Sequence, residues 1–177
     1  MKIIHTCLLI CLSVLATSCL KDHNIPPITL HYKQIESFKD QNNIDSYRLY
    51  FTSDINIDSI ANVKRSNPQI ICPLVGKKNF EVGDYHKQVI KSLFIEKDTK
   101  SKNYINEDDL YSVELLFYEY DEDGSQSRYL KKNEIIDLIK NKKCIPCSMY
   151  MVFPWRYKHY YSNPMCIPVE DILKVLE

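Results

Sequence analysis

The chain has 177 residues, with 23 lysines and arginines against 23 aspartates and glutamates, so its formal charge at neutral pH is zero. A chain with no cationic excess lacks the attraction of a general nucleic-acid binder, and its three glycines, Gly76, Gly83 and Gly124, are too scattered to cradle a phosphate. Its thirteen tyrosines carry more information, because an apolar ring with a polar tip suits half-buried strands and binding surfaces alike.

The first eighteen residues, MKIIHTCLLICLSVLATS, differ from all that follow. Lys2 is their one charged side chain, and Cys7–Ala16 is nearly all apolar. That run is about half of the roughly 20 residues a helix needs to cross a bilayer, so it reads as a secretory signal and not as a span. It ends in Leu15-Ala16-Thr17-Ser18-Cys19, which resembles the lipobox of bacterial lipoprotein precursors, although the leucine stands one place early. The resemblance covers residues 1–19 alone. It implies cleavage before Cys19, acylation of that cysteine with palmitate-type chains, and a lipid anchor in the bacterial cell envelope. Leu20, where an aspartate would signal inner-membrane retention, favours the outer membrane over the inner. Ala16-x-Ser18 also suits an ordinary signal peptidase cutting the same bond.

Thiol counting favours the lipid. Loss of Cys7 and Cys11 leaves Cys19, Cys72, Cys144, Cys147 and Cys166, and modifying Cys19 leaves an even set of four for an oxidising compartment. One acyl chain binds only marginally, at about 0.8 kcal/mol per buried CH₂, whereas two or three hold firmly.

Residues 19–27 then read as a lipidated tether and residues 28–177 as a single domain. ITLHYKQIESF and SYRLYFTS alternate apolar and polar residues, which predicts an antiparallel hairpin across QNNID. Asp58 is expected to cap a short helix ending before Pro68, and QIICPLV to form a strand near an edge or bulge because of Pro73. Tyr85, Val89 and Leu93 recur every fourth residue, as do His86, Ile90 and Phe94, which favours a helix. EKDTKSKNYINEDD reads as a charged loop, and YSVELLFYEY, apolar on both faces, as a central strand. Asp123-Gly124 signals a hairpin. Asn133 is expected to cap a helix burying Ile135, Ile136 and Ile139, SMYMVF to be a strand stopped by Pro154, and Pro168 to open a last helix. The expected fold class is α+β: an antiparallel or mixed sheet with two to four short helices, stabilised by disulfides.

The densest chemistry is KKCIPCSMYMVFPWRYKHYY, residues 142–161. Cys144-Ile145-Pro146-Cys147 has the spacing of thiol–disulfide enzymes, but it follows a predicted helix instead of opening one, where the dipole would disfavour thiolate. Cys144, Cys147, His159 and Cys166 could be written as a zinc set, with irregular spacing in its second half. Structural disulfides among Cys72, Cys144, Cys147 and Cys166 are preferred, in any of three pairings, and no metal or cofactor is expected. If WRYKHYY is extended, Trp155, Tyr157, His159 and Tyr161 share one face, with Arg156, Lys158 and Tyr160 on the other. One such face would pack into the core; alternatively the aromatic row stacks on sugars or anchors a protein interface.

His23, His31 and His86 have no partner in a catalytic pattern, and Glu107-Asp108-Asp109 and Asp121-Glu122-Asp123 read as solvated turns. No catalytic residue is singled out. The expectation is a membrane-anchored, non-catalytic binding domain with a protein or glycan partner, such as an immunity-type factor. A thiol–disulfide enzyme acting through Cys144 and Cys147 is the alternative.

Overall fold

The computed structural model describes residues 22, 24–76, 80, 86–98, 110–153 and 158–177. The signal segment, Cys19 and most of the charged loop at 96–109 lie outside the described residues, as do Gly83, Tyr85 and Pro154. Ten strands and three helices occur among the described residues. They are β1 (Leu30–Lys39), β2 (Asp45–Ser53), α1 (Ile57–Lys64), β3 (Gln69–Pro73), β4 (Gln88–Ser92), β5 (Glu96–Lys97), β6 (Leu110–Tyr120), β7 (Ser127–Tyr129), α2 (Lys132–Ile139), β8 (Cys144–Met151), β9 (Tyr160–Tyr161), β10 (Met165–Pro168) and α3 (Val169–Leu176).

The strands form one antiparallel sheet in the order β1-β2-β6-β4-β3-β8-β10, with β5 and β7 added to β6 and β9 to β8. β6 is its hub. Its first half pairs with β2, and its second half pairs with β4 on one side and β7 on the other. At the far end, a parallel bridge joins Thr29 to Asn163, and the Asn163 amide donates to the Ile28 carbonyl at 2.9 Å. α3 packs against β1, β8 and β10 beside that seam, so the sheet is curled into a nearly closed barrel.

Alternation along the strands sorts the residues. Leu49 and Phe51 of β2, Tyr111, Val113 and Leu115 of β6, and Ile145, Cys147 and Met149 of β8 point inward and are buried. Each fully buried Leu, Ile or Phe contributes about 1.5–3 kcal/mol relative to exposure. The helices close the remaining openings with Ile135 and Ile139 of α2 and Ile172 and Leu176 of α3. The core also takes in Ile25, so packed structure begins before Ile28, inside the expected tether.

The expected α+β class is therefore corrected. Among the described residues strand accounts for 47% and helix for 18%, and the three helices are two turns each against a curled sheet. The segment read as a helix at 85–94 holds strand β4 at Gln88–Ser92 instead, with Ile90 inward opposite Phe117 and Val89 on the outer face opposite Tyr118. A repeat of four fits a helix, but it is also twice the strand period, and pairing to β3 and β6 decides the matter. Leu93 and Phe94, which a helix would have buried, are 45% and 61% exposed.

Smaller corrections concern chain punctuation. α1 is capped by Asn56, whose side-chain oxygen accepts the Ser59 amide at 2.9 Å, and not by Asp58. At α2 the Glu134 carboxylate reaches back to the Lys131 amide at 2.7 Å, leaving Asn133 inside the helix. β3 is interior, between β4 and β8, with Pro73 at its last position where a missing amide costs least. The turn after β6 matches its sequence: Gly124 adopts φ 74°, and the Asp121 and Asp123 carboxylates accept the amides of Gln126 and Ser125.

Candidate binding site on the outer face of the barrel

Within residues 142–161, Cys144–Met151 is strand β8. Cys144-Ile145-Pro146-Cys147 starts β8, so its two cysteines, three positions apart, project from opposite faces of the sheet. Cys147 points inward and is bonded to Cys72, its opposite number when the β3–β8 register is continued by one residue, at a Cα–Cα distance of 4.2 Å. Cys144 lies on the outer face and is bonded diagonally across the β8–β10 pair to Cys166, at a Cα–Cα distance of 5.6 Å. All four predicted cysteines are thus paired, and the motif's two sulfurs are not paired with each other. A zinc set of Cys144, Cys147, His159 and Cys166 cannot converge across the sheet. Among the described residues no cluster of three ligating side chains occurs.

Trp155, Arg156 and Tyr157 lie outside the described residues. Beyond them, Lys158 is exposed, although an extended tract would put it on the face of buried Tyr160; alternation is seen only across Tyr160–Tyr161. Tyr160 turns inward and is buried, whereas Tyr161 lies on the outer face, stacked on Tyr150 of β8 with centroids 4.9 Å apart. His159 meets the edge of Tyr150, and its Nδ1 shares a 2.9 Å hydrogen bond with the Tyr150 hydroxyl. Phe80 extends the row, 6.0 Å from Tyr161, and His86 adjoins Phe80 at 6.4 Å.

A second aromatic group stands on the same outer face around the β6–β7 hairpin. Tyr118 and Tyr120 lie two residues apart on β6, and Tyr118 stacks on Tyr129 of β7 at 5.0 Å. Tyr129 is 64% exposed despite that stack. The Lys91 ammonium lies 4.7 Å from the centre of the Tyr120 ring and donates to its hydroxyl at 2.9 Å. Burial, and then the hydrogen bond to Tyr129, pushes the Tyr118 phenol up to about 12; burial also raises that of Tyr150.

Between the two groups is a hollow of about 330 Å³, floored by Ile71 and Val89, walled by Tyr120, Lys91 and His86, and rimmed by Asp123. Tyr120 separates it from a second hollow of about 450 Å³, lined by Lys87, Glu119, Gln126 and Arg128. The first is at the small end of the range of roughly 300–1,000 Å³ for small-molecule sites. Its rim mixes a cation and a carboxylate around an apolar floor. Such a surface offers ring faces for stacking together with donors and acceptors for hydroxyls. His31 is exposed on β1, away from this group.

The sequence had pointed to residues 155–161. The structure keeps Lys158, His159 and Tyr161 in the neighbourhood and adds Phe80, His86, Lys91, Tyr118, Tyr120, Tyr129 and Tyr150. For β6 the signal was present: Tyr118 and Tyr120 have the same parity, opposite to that of inward Phe117. The chain matches no protein-family model, and comparison with curated proteins and with solved structures gives no match.

Proposed function

We propose that this chain is a lipid-anchored binding protein of the bacterial cell envelope. Cys19 carries the acyl chains, the outer membrane is favoured over the inner, and the barrel is a non-catalytic domain that takes a protein or glycan partner. A protein partner includes a toxin neutralised in the manner of an immunity factor. Ile25, which is buried, lies six positions after Cys19, a reach of roughly 20 Å when extended, which would keep the barrel close to the bilayer. Among the described residues no helix is long and apolar enough to cross a membrane.

The observation that supports binding is the pair of aromatic groups on the outer face with a mixed-charge hollow between them. Buried rings need no further account, whereas stacked, solvent-facing tyrosines beside an open hollow are what a ligand surface requires. A glycan suits this site better than a flat protein interface, because the hollow is concave and its polar rim balances charge. The alternative of a thiol–disulfide enzyme draws less support, since Cys144 and Cys147 point apart and each has another partner.

Two measurements test the reading. Fatty-acid labelling should be lost in Cys19→Ser, with release of the protein from membranes; retention of both by that variant would overturn the anchor. The full chain in detergent should then bind either an array of neutral oligosaccharides or a protease-sensitive envelope fraction. Binding should weaken about fivefold or more in Tyr120→Ala, as loss of an aromatic ring that stacks on a planar ligand, such as a nucleobase, costs about 1–3 kcal/mol. Binding to neither, or binding indifferent to Tyr120→Ala and Tyr150→Ala alike, would overturn the binding role of this face.

A further inference from the structure

The two disulfides differ in what surrounds them. Cys72 and Cys147 are both 0% exposed, in the middle of the core between β3 and β8. Cys166 is exposed and Cys144 half-buried, on the outer face at the start of β8. Thiol–disulfide exchange requires in-line attack by a thiolate, so access to sulfur governs its rate. A charged thiolate reaches Cys166 from water, but it would have to enter the barrel core to reach Cys147.

Position gives the accessible bond its meaning. β10 is the end strand of the sheet beside β8, and with α3 it completes the barrel beside the β1 seam. α3 touches β1, where the Tyr32 hydroxyl donates to Asp171 at 2.9 Å, and it buries Ile172 and Leu176. Besides the backbone that enters it from β9, the covalent link between this unit and the rest of the sheet is Cys144–Cys166. Its non-covalent links include, besides the Tyr32–Asp171 bond and the buried side chains of α3, four residue pairs between β10 and β8, the Val169 amide donating to the Lys143 carbonyl at 3.1 Å, and the Lys132 ammonium on the Glu177 carbonyl at 2.9 Å.

We propose that Cys144–Cys166 is a redox-operated latch on the C-terminal closure of the barrel, opened by a dithiol reductant while Cys72–Cys147 keeps the sheet together. A thiolate of the dithiol attacks Sγ of Cys166, the Cys144–Cys166 bond breaks, and Cys144 leaves as a thiolate that takes up a proton. The second thiol of the reductant then attacks the mixed disulfide and releases Cys166 as a thiol. The reductant supplies two electrons and becomes a disulfide, and the protein gains two thiols. With the latch open, β10 and α3 are held by their hydrogen bonds and apolar contacts alone, and the seam beside β1 opens more often.

The test uses the full chain in detergent with dithiothreitol as the dithiol. Thiols exposed under native conditions are alkylated with a light reagent, and the remainder with a heavy one after unfolding and full reduction. Cys144 and Cys166 should take the light label at least tenfold faster than Cys72 and Cys147. In the same samples, amide hydrogen exchange should accelerate across residues 165–176 while β6 stays protected. A double variant, Cys144→Ser with Cys166→Ser, should show the faster exchange without reductant and no further response to it. Labelling of all four cysteines at one rate, labelling of the core pair first, or an opened latch with unchanged exchange at 165–176 would each overturn the proposal.

Discussion

The Tyr160 phenol joins the two ends of the barrel: its oxygen accepts the Ile28 amide at 2.8 Å and its hydroxyl donates to the Pro26 carbonyl at 3.1 Å. Tyr160 is buried and its bond to the Ile28 amide is made out of water, whereas its bond to the exposed Pro26 lies nearer the surface. Tyr160→Phe keeps the ring but leaves the Ile28 amide without this acceptor. The expected cost is about 1–3 kcal/mol, the penalty for a buried donor left unpaired. It is read as a lowered urea midpoint with unchanged slope. A variant as stable as the wild type would show that Ile28 finds another acceptor.

The same logic applies at the start of α1, where the Ile57 amide donates to the Tyr111 hydroxyl at 3.0 Å in the core. Tyr111 also stacks on Phe51 at 5.9 Å, and a phenylalanine preserves that contact. Tyr111→Phe should therefore cost about 1–3 kcal/mol and loosen α1 more than β6. Hydrogen exchange of residues 57–64 against 110–120 distinguishes this local effect from general destabilisation.

Removing each disulfide should cost different amounts. In the chain-entropy account, a bridge spanning 75 residues stabilises by about 4.5 kcal/mol and one spanning 22 by about 3.4 kcal/mol. Cys147→Ala also leaves the Cys72 thiol in a core position, whereas Cys144→Ser places its hydroxyl at a half-exposed one. The double variant Cys72→Ala with Cys147→Ala should thus be the less stable of the two bridge deletions by thermal melting. The reverse ranking would mean that the unfolded chain with the longer bridge retains structure.

Acid stability should centre on Arg128. Its guanidinium makes two hydrogen bonds to the Glu134 carboxylate, at 2.8 and 3.0 Å, and it also pairs with Glu119. The guanidinium first, and the Lys131 amide after it, holds the Glu134 carboxyl down to about 2 against an ordinary value of 4.5. A depressed carboxyl binds fewer protons folded than unfolded, so its contribution is complete above 4.5 and is lost as pH falls towards 2. Urea midpoints should fall across that window in the wild type and fall less in Glu134→Gln. High salt should shrink the difference, because the pair is solvent-accessible.

How much of this was legible beforehand depended on the range of the interactions involved. The Asp123-Gly124 turn, the α2 apolar positions and the opening of α3 at Pro168 are local, and sequence spacing placed each within about one residue of its observed position. Strand β4 was hidden because Val89 and Ile90 recur at a spacing shared by helix and strand, and only the pairing with Phe117 and Tyr118 separates the two. Disulfide connectivity was hidden for a related reason. Cys147 is opposite Cys72 only once β3 and β8 are neighbours, a fact set by closure of the whole sheet. In the site, alternation at Tyr160 and Tyr161 was readable, whereas Phe80 reaches Tyr161 across a sequence distance no local pattern encodes.

Alkaline titration addresses the barrel's outer surface, where hydrophobic and hydrogen-bonding effects act on the same phenols. Tyr50 is pushed up to about 12, by burial first and then by its 2.6 Å hydrogen bond to Glu36, and Tyr118 rises equally far beside Tyr129. A phenol that keeps its proton longer in the folded state stabilises the fold fully below the unfolded value of 10. That contribution disappears as pH climbs from 10 towards 12, because the unfolded chain ionises first and is favoured. Stability should therefore decline above pH 10, and Tyr50→Phe should flatten the decline, since phenylalanine has no proton to lose. Phenolate absorbance supplies a second check: several tyrosines, Tyr50 and Tyr118 furthest among them, should ionise late, and each of Tyr50→Phe and Tyr118→Phe should remove one from that late group. If all phenols ionise together near 10 while the far-ultraviolet signal stays native, the Glu36 and Tyr129 contacts do not hold these protons.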